Sequence, residues 1–126
     1  MPIPWSQTIE SRHLAKHNRW KYINLLEKIT KNLFKIFRDE VSTKQELTDR
    51  FSVLYNKMAT FSATYLDSEY HRAMQAYIEQ MARIIQTDWE LDERMRAEQM
   101  TRLNRLQKIK NTTNYKREKH VDTGNH

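Results

Sequence analysis

Large apolar side chains recur along residues 47–65 at alternating spacings of four and three, with mostly polar residues between them. The apolar positions of this stripe are Leu47, Phe51, Leu54, Met58, Phe61 and Tyr65. Such spacing is typical of an amphipathic helix that packs against other helices in the manner of a coiled coil. We therefore predict that the rest of the chain forms helices arranged around this stripe.

A longer apolar stripe precedes it and predicts the first helix. No proline or glycine interrupts residues 9–39, and Ser6 or Thr8 can cap the start of a helix there. The stripe is broad, which favours contact with two neighbouring helices. Its members are Trp20, Ile23, Leu25, Leu26, either Ile29 or Thr30, Leu33, Phe34, Ile36 and Phe37. The first helix is predicted over about residues 6–39.

Capping signals and a register shift delimit the second helix. Ser42 with Gln45, or Thr43 with Glu46, has the spacing of a capping box. The helix that follows is predicted over about residues 44–66. At its end the apolar positions shift by two, which predicts a tight turn; a continuous, kinked helix is the alternative.

The third predicted helix is the longest, covering about residues 68–110, or ~64 Å at 1.5 Å per residue. Its apolar stripe thins beyond Met95, where cations accumulate. In an up-down-up bundle, the part beyond Leu91 has no neighbour to pack on. We therefore predict an all-α fold for residues 1–111, a three-helix antiparallel bundle with an extended third helix projecting from it. Residues 112–126 are predicted to form a basic, flexible tail.

Composition supports a helical fold and excludes several kinds of site. The 126 residues include one glycine, two prolines and no cysteine. Hairpin turns should therefore be rare, and neither disulfides nor thiolate metal sites can form. No apolar run reaches the ~20 residues that span a bilayer. We expect a soluble, cytoplasmic protein.

No residue pattern predicts catalysis or metal binding. His13 and His17 lie four residues apart, but Leu14 stands where the helix of a metalloprotease carries glutamate. Asp67 and His71 have the spacing of an acid–base pair, yet capping of a helix start accounts for an acidic residue there. We therefore predict a non-enzymatic protein without a metal or a cofactor.

The net charge of +6 is unevenly distributed. Residues 1–38 carry eight Lys or Arg against two acids, residues 39–98 carry seven against twelve, and residues 99–126 carry seven against two. Cations on helices suit nucleic-acid phosphates, whose neutralisation releases counterions. We predict that both basic ends bind nucleic-acid backbone without base recognition. The predicted contact residues are Arg94, Arg96, Arg102, Arg105, Lys108, Lys110, Tyr115, Lys116, Arg117, Lys119, Arg12, Lys16, Arg19 and Lys21.

Two other interpretations of the basic helix stay open. Apolar residues along one side of a basic helix also suit docking in a groove of another protein. Lys and Arg near a helix C-terminus suit the helix dipole without any partner. The predicted function is thus backbone binding within a larger nucleoprotein assembly. The alternative is a helical adaptor, a mobile-element regulator or an accessory subunit of a complex. The broad first stripe also favours self-association.

Overall fold

Four helices are formed by the part of the chain that this computed structural model describes. The structure describes the backbone of residues 9–61 and 66–112, and the side chains of residues 17–61 and 66–112. The helices are α1 (Ile9–Arg38), α2 (Lys44–Ala59), α3 (Glu69–Ile85) and α4 (Glu93–Thr112). The described residues contain no strand, so the all-α prediction is confirmed. The prediction of three helices is wrong.

α1 is central to the fold because it packs against each of the other three helices. Side chains along its predicted stripe are almost completely buried: Ile23 and Leu26 are 0% exposed, and Ile29 and Leu33 are 1% exposed. The breadth of that stripe predicted two neighbours for this helix, and the structure gives it three. A helix that is apolar around more than half of its circumference buries more than one face.

The start of α2 agrees with the sequence, whereas its end does not. Thr43 is the N-cap, and its side chain accepts a hydrogen bond of 3.1 Å from the amide of Glu46. α2 ends at Ala59, several residues earlier than predicted. Ser68 caps α3 by accepting from the amide of His71. α2 and α3 are separate helices, so the kinked alternative is wrong, but residues 60–68 lie between them in place of the predicted tight turn.

The predicted third helix is divided by a connection over residues 86–92. α3 ends at Ile85 with Gln86 as its C-cap, and the Thr87 hydroxyl donates to the carbonyl oxygen of Ile84 at 2.6 Å. α4 is opened by Asp92, whose carboxylate accepts from the amide of Met95 at 2.8 Å. Because the chain reverses there, α4 packs on α1 and α3 instead of projecting from the bundle.

The burial of α4 corrects the predicted overhang. Leu103 is 0% exposed and Leu106 is 6% exposed, so both belong to the core. Gln99, also buried, accepts a hydrogen bond of 2.9 Å from the Tyr77 hydroxyl on α3. The side-chain carbonyl of Gln99 therefore has a hydrogen-bond partner although the residue points into the core. Because Gln99 takes an inward position, the apolar stripe of α4 is thin even though the helix is packed.

Two cations hold the chain reversal in place. Lys44, at the start of α2, donates to the carbonyl oxygen of Trp89, and its ammonium lies 4.9 Å from the centroid of that indole ring. Trp89 itself is buried. Arg96, one turn into α4, donates to backbone carbonyls at the end of α1. Within the described part of the chain, no helix is long and apolar enough to cross a membrane.

Replacing Leu103 with alanine tests whether α4 belongs to the core. The substitution leaves a cavity between helices, so we expect the free energy of unfolding to fall by about 2–5 kcal/mol. Urea denaturation measures this change. Asn104→Ala, at an exposed neighbouring position, is the control and should change stability by less than about 0.5 kcal/mol. Equal effects of the two substitutions would contradict the packing of α4.

Candidate nucleic-acid interface

A basic groove of about 430 Å³ lies between α1 and α4. Residues of one face of each helix line it, together with Tyr70 from the first turn of α3. The α1 positions follow one another at helical spacings of three, one, three, one and three, so they share one face. The lining residues are Glu27, Thr30, Lys31, Phe34, Lys35, Arg38, Tyr70, Leu103, Leu106, Gln107 and Lys110.

Cations outnumber acids in this groove by four to one. Lys31, Lys35 and Arg38 are exposed on the α1 side, and Lys110 lies on the α4 side. Among the described residues that line the groove, Glu27 is the one with a carboxylate. The three α1 cations form no ion pair with any residue that the structure describes. Their charges are therefore available to an anionic ligand.

The floor of the groove is apolar. Leu103 and Leu106 of α4 are buried there, and so is Tyr70 of α3. Phe34 of α1 is half-buried and lines the same groove. Cations on the rim with aromatic and aliphatic groups beneath them can hold a molecule that combines negative charge with an apolar face.

A second cavity adjoins the basic groove but differs from it in charge. Its volume is about 750 Å³, and Arg38 lines both cavities. Two acids, Glu40 and Glu93, line this second cavity together with two cations, Arg38 and Arg96. Arg96 also donates three hydrogen bonds to backbone carbonyls. The larger cavity therefore offers an anion much less uncompensated positive charge than the basic groove does.

The structure separates the predicted cations of α4 into two faces. Lys110 lines the basic groove. Arg105 and Lys108 are exposed and lie on the opposite face of the helix, given 3.6 residues per turn. Arg94 is also exposed and pairs with Glu98 at 3.2 Å, one helical turn further on. Only one of these four predicted residues thus faces the groove.

Arg96 has a structural role that its sequence position did not indicate. Its guanidinium donates to the carbonyl oxygens of Ile36 at 2.9 Å, Asp39 at 2.6 Å and Ser42 at 2.5 Å. Ile36 is in the last turn of α1, where backbone carbonyls lack partners within the helix. Arg96 therefore caps α1 from a different helix and fixes the start of α4 against it.

Arg102 is half-buried beside the pair formed by Tyr77 and Gln99. Burial raises the pKa of the Tyr77 hydroxyl, and the positive charge of Arg102 lowers it by a smaller amount. The hydroxyl donates to the Gln99 carbonyl at 2.9 Å. This predicted contact residue thus lies beside a buried polar pair of the core, apart from the residues that line the groove.

The remaining predicted residues are near the ends of the chain. Lys21 is exposed and Arg19 is half-buried on α1, ahead of the groove. The side chains of Arg12 and Lys16 lie outside the described part of the chain. The other four predicted residues also lie outside it, namely Tyr115, Lys116, Arg117 and Lys119.

Sequence reasoning missed the three groove cations of α1. Lys31, Lys35 and Arg38 sit one helical turn apart around Phe34, which was assigned only to a broad core stripe. The sequence did contain a signal for this site. Lys31 and Arg38, three residues before Phe34 and four after it, place positive charge on both sides of this ring along the helix. That signal could not be recognised as a groove without α4, which forms the wall opposite α1.

Histidines and acids form no metal-binding group in the described part of the chain. His17 is exposed and its ring stacks on Trp20, with centroids 6.1 Å apart. The side chain of His13 lies outside the described residues. His71 is buried against Tyr70, and the cap of α3 is Ser68 instead of the neighbouring Asp67.

Comparison with protein-family models, with curated proteins and with solved structures returns no match to this chain. The geometry and charge of the groove are therefore what indicates a function for this protein.

Replacing Arg96 with glutamine tests its structural role. The change removes charge-assisted hydrogen bonds to carbonyls at the end of α1, so the free energy of unfolding should fall by about 1.5–3 kcal/mol. Thermal and chemical denaturation measure it. Arg94→Gln is the matched control, since that side chain makes only an exposed pair worth about 0.3–0.5 kcal/mol. Similar small losses in both variants would show that Arg96 does not brace the fold.

The raised pKa of Tyr77 predicts that the folded protein loses stability at alkaline pH. Because its pKa is raised in the folded protein, the unfolded chain ionises first, near the ordinary value of 10.0. Stability conferred by the neutral hydroxyl is therefore complete below pH ~10 and falls above it, by up to ~1.4 kcal/mol per pH unit. Tyr77→Phe should flatten this decline in urea denaturation series between pH 9 and pH 11. The Tyr22 pKa is also raised, chiefly by burial, so some slope will remain. An unchanged slope would rule out Tyr77 as its source.

Proposed function

We propose that this protein binds the phosphate backbone of nucleic acid in the groove between α1 and α4, without catalysis and without reading base sequence. The observation that supports this most directly is the set of Lys31, Lys35 and Arg38, which face the groove without an ion-pair partner among the described residues. Phosphate contacts of this kind position a protein on nucleic acid and carry no sequence information.

The size of the groove supports the further proposal of a larger nucleoprotein assembly. Its α1 residues extend from Glu27 to Arg38, a length of about 16 Å at 1.5 Å per residue. One copy can therefore contact only a few phosphates, and phosphate contacts weaken steeply as salt rises. Several copies on one nucleic-acid chain would gain affinity through effective concentration without any new contact.

An acidic protein partner is the second candidate, and the apolar floor of the groove favours it. An amphipathic helix with carboxylates along its edges could place its apolar side on Phe34 and Leu106. Each carboxylate carries the same charge as a backbone phosphate, but those on the edges of such a helix are fewer along its length than the phosphates of duplex DNA, at one per ~1.7 Å. Competition with polyglutamate therefore separates the two candidates.

The test removes three groove cations together, as Lys31→Gln, Lys35→Gln and Arg38→Gln. Fluorescence anisotropy with a labelled duplex at several salt concentrations measures affinity and its salt dependence. The loss of three phosphate contacts should reduce the salt slope by up to ~2.7 on duplex DNA. Glutamine keeps helix propensity, so the fold should be retained.

A matched control removes three exposed cations elsewhere, as Arg50→Gln, Arg105→Gln and Lys108→Gln. It changes the net charge equally but leaves the groove intact, so its salt slope should stay near that of the parent protein. Equal losses in both variants would mean that binding follows net charge, not the groove. If the parent does not bind at low salt, or if polyglutamate competes as well as DNA at equal charge, the proposal is wrong.

A further inference from the structure

We infer that the groove selects single-stranded over duplex nucleic acid, with an unpaired base stacked on Phe34 between phosphates held by Lys31 and Arg38. This inference rests on the proposed function and specifies its substrate class. It begins with the position of Phe34, which is half-buried on the floor of the groove while most of the α1 stripe is fully buried.

The Phe34 ring is available for stacking. Some other aromatic rings already have a ring partner: His17 stacks with Trp20, and Phe51 stacks with Tyr55. Phe34 has no ring contact with any residue that the structure describes. An accessible aromatic face inside a cationic groove is the arrangement by which proteins hold single strands, because every base has a π-face and the contact tolerates any sequence.

The cations lie on both sides of this ring along the helix axis. Lys31 precedes Phe34 by three residues and Arg38 follows it by four, so their Cα atoms are about 10.5 Å apart along the helix. Lys110 faces them from α4. A strand lying along the groove can therefore keep its phosphates at the rim on either side of Phe34 while turning one base inward.

A duplex cannot use the same floor. Packed helices lie about 8–10 Å apart from axis to axis, so the groove between α1 and α4 is narrow. In a duplex the base faces are stacked on one another, and only base edges are presented in its grooves. A duplex thus reaches the cations at the rim but not Phe34, whereas a single strand reaches both.

The experiment compares a labelled oligothymidylate with a duplex of the same length, using the parent protein and Phe34→Leu. Leucine keeps an apolar floor but removes the π-face. We expect the parent to bind the single strand more tightly than the duplex. Phe34→Leu should weaken single-strand binding about tenfold, which lies within the range measured for base–aromatic stacking. Duplex binding should change less than about twofold, since backbone contacts are retained.

Two further variants distinguish a loss of stacking from a loss of folding. Phe34→Tyr keeps the ring at a partly exposed position and should retain the single-strand affinity of the parent. Phe34→Trp provides a direct signal, because a base stacked on the new indole should quench its fluorescence beyond the change seen in the parent. Circular dichroism melts of all variants identify any loss of fold.

The outcomes separate failure of the inference from failure of the proposed function. If the parent binds single strand and duplex equally, or if Phe34→Leu weakens both alike, the strand preference is wrong while backbone binding stands. Unchanged binding by a folded Phe34→Leu variant, or no quenching in Phe34→Trp, shows that Phe34 only packs. Absence of binding to either DNA overturns both. Displacement by polyglutamate at equal charge assigns the groove to an acidic protein and also overturns both.

Discussion

The packing of α4 against α1 is the contact on which both the core and the groove depend. Leu103 and Leu106 of α4 complete the core, and the same residues form the floor beneath the cations of α1. Without α4, Lys31, Lys35 and Arg38 would lie on an open helix surface, where isolated cations are solvated and weakly organised. One interface therefore provides hydrophobic stabilisation inside and a charged concavity outside.

The basic residues of the chain divide into those that hold the fold and those that remain at the surface. Arg96 donates to three backbone carbonyls around the end of α1, and Lys44 donates to the Trp89 carbonyl in the connection before α4. These bonds join residues far apart in sequence, so they hold the chain reversal that creates the groove. Lys31 and Lys35 make no such contacts with any residue that the structure describes. Net charge alone could not distinguish the two groups.

The sequence predicted local structure better than it predicted where the long final helix turns back. The burial of Leu47, Phe51, Leu54 and Met58 follows from periodicity, and the Thr43 cap follows from side-chain chemistry. The connection over residues 86–92 contains neither glycine nor proline, and charged residues there are equally compatible with a continuous helix. What holds the break is tertiary: Lys44 donates to the connection from the start of α2, and Arg96 joins the start of α4 to carbonyls at the end of α1. The groove depends on that reversal, so the candidate site could not be predicted without it.

Under the proposed function, binding and folding of α4 are thermodynamically linked. The groove exists only when α4 is packed on α1, so a ligand that occupies it binds the folded arrangement and not the open one. Such a ligand stabilises the packed helix by RT ln(1 + [L]/Kd), about 2.7 kcal/mol when its concentration is a hundred times Kd. Phosphate contacts weaken as salt rises, whereas the burial of Leu103 does not depend on charge. The apolar contact between α1 and α4 therefore keeps the groove formed when high salt releases the ligand. Ligand binding adds stability to an α4 that is already packed on α1.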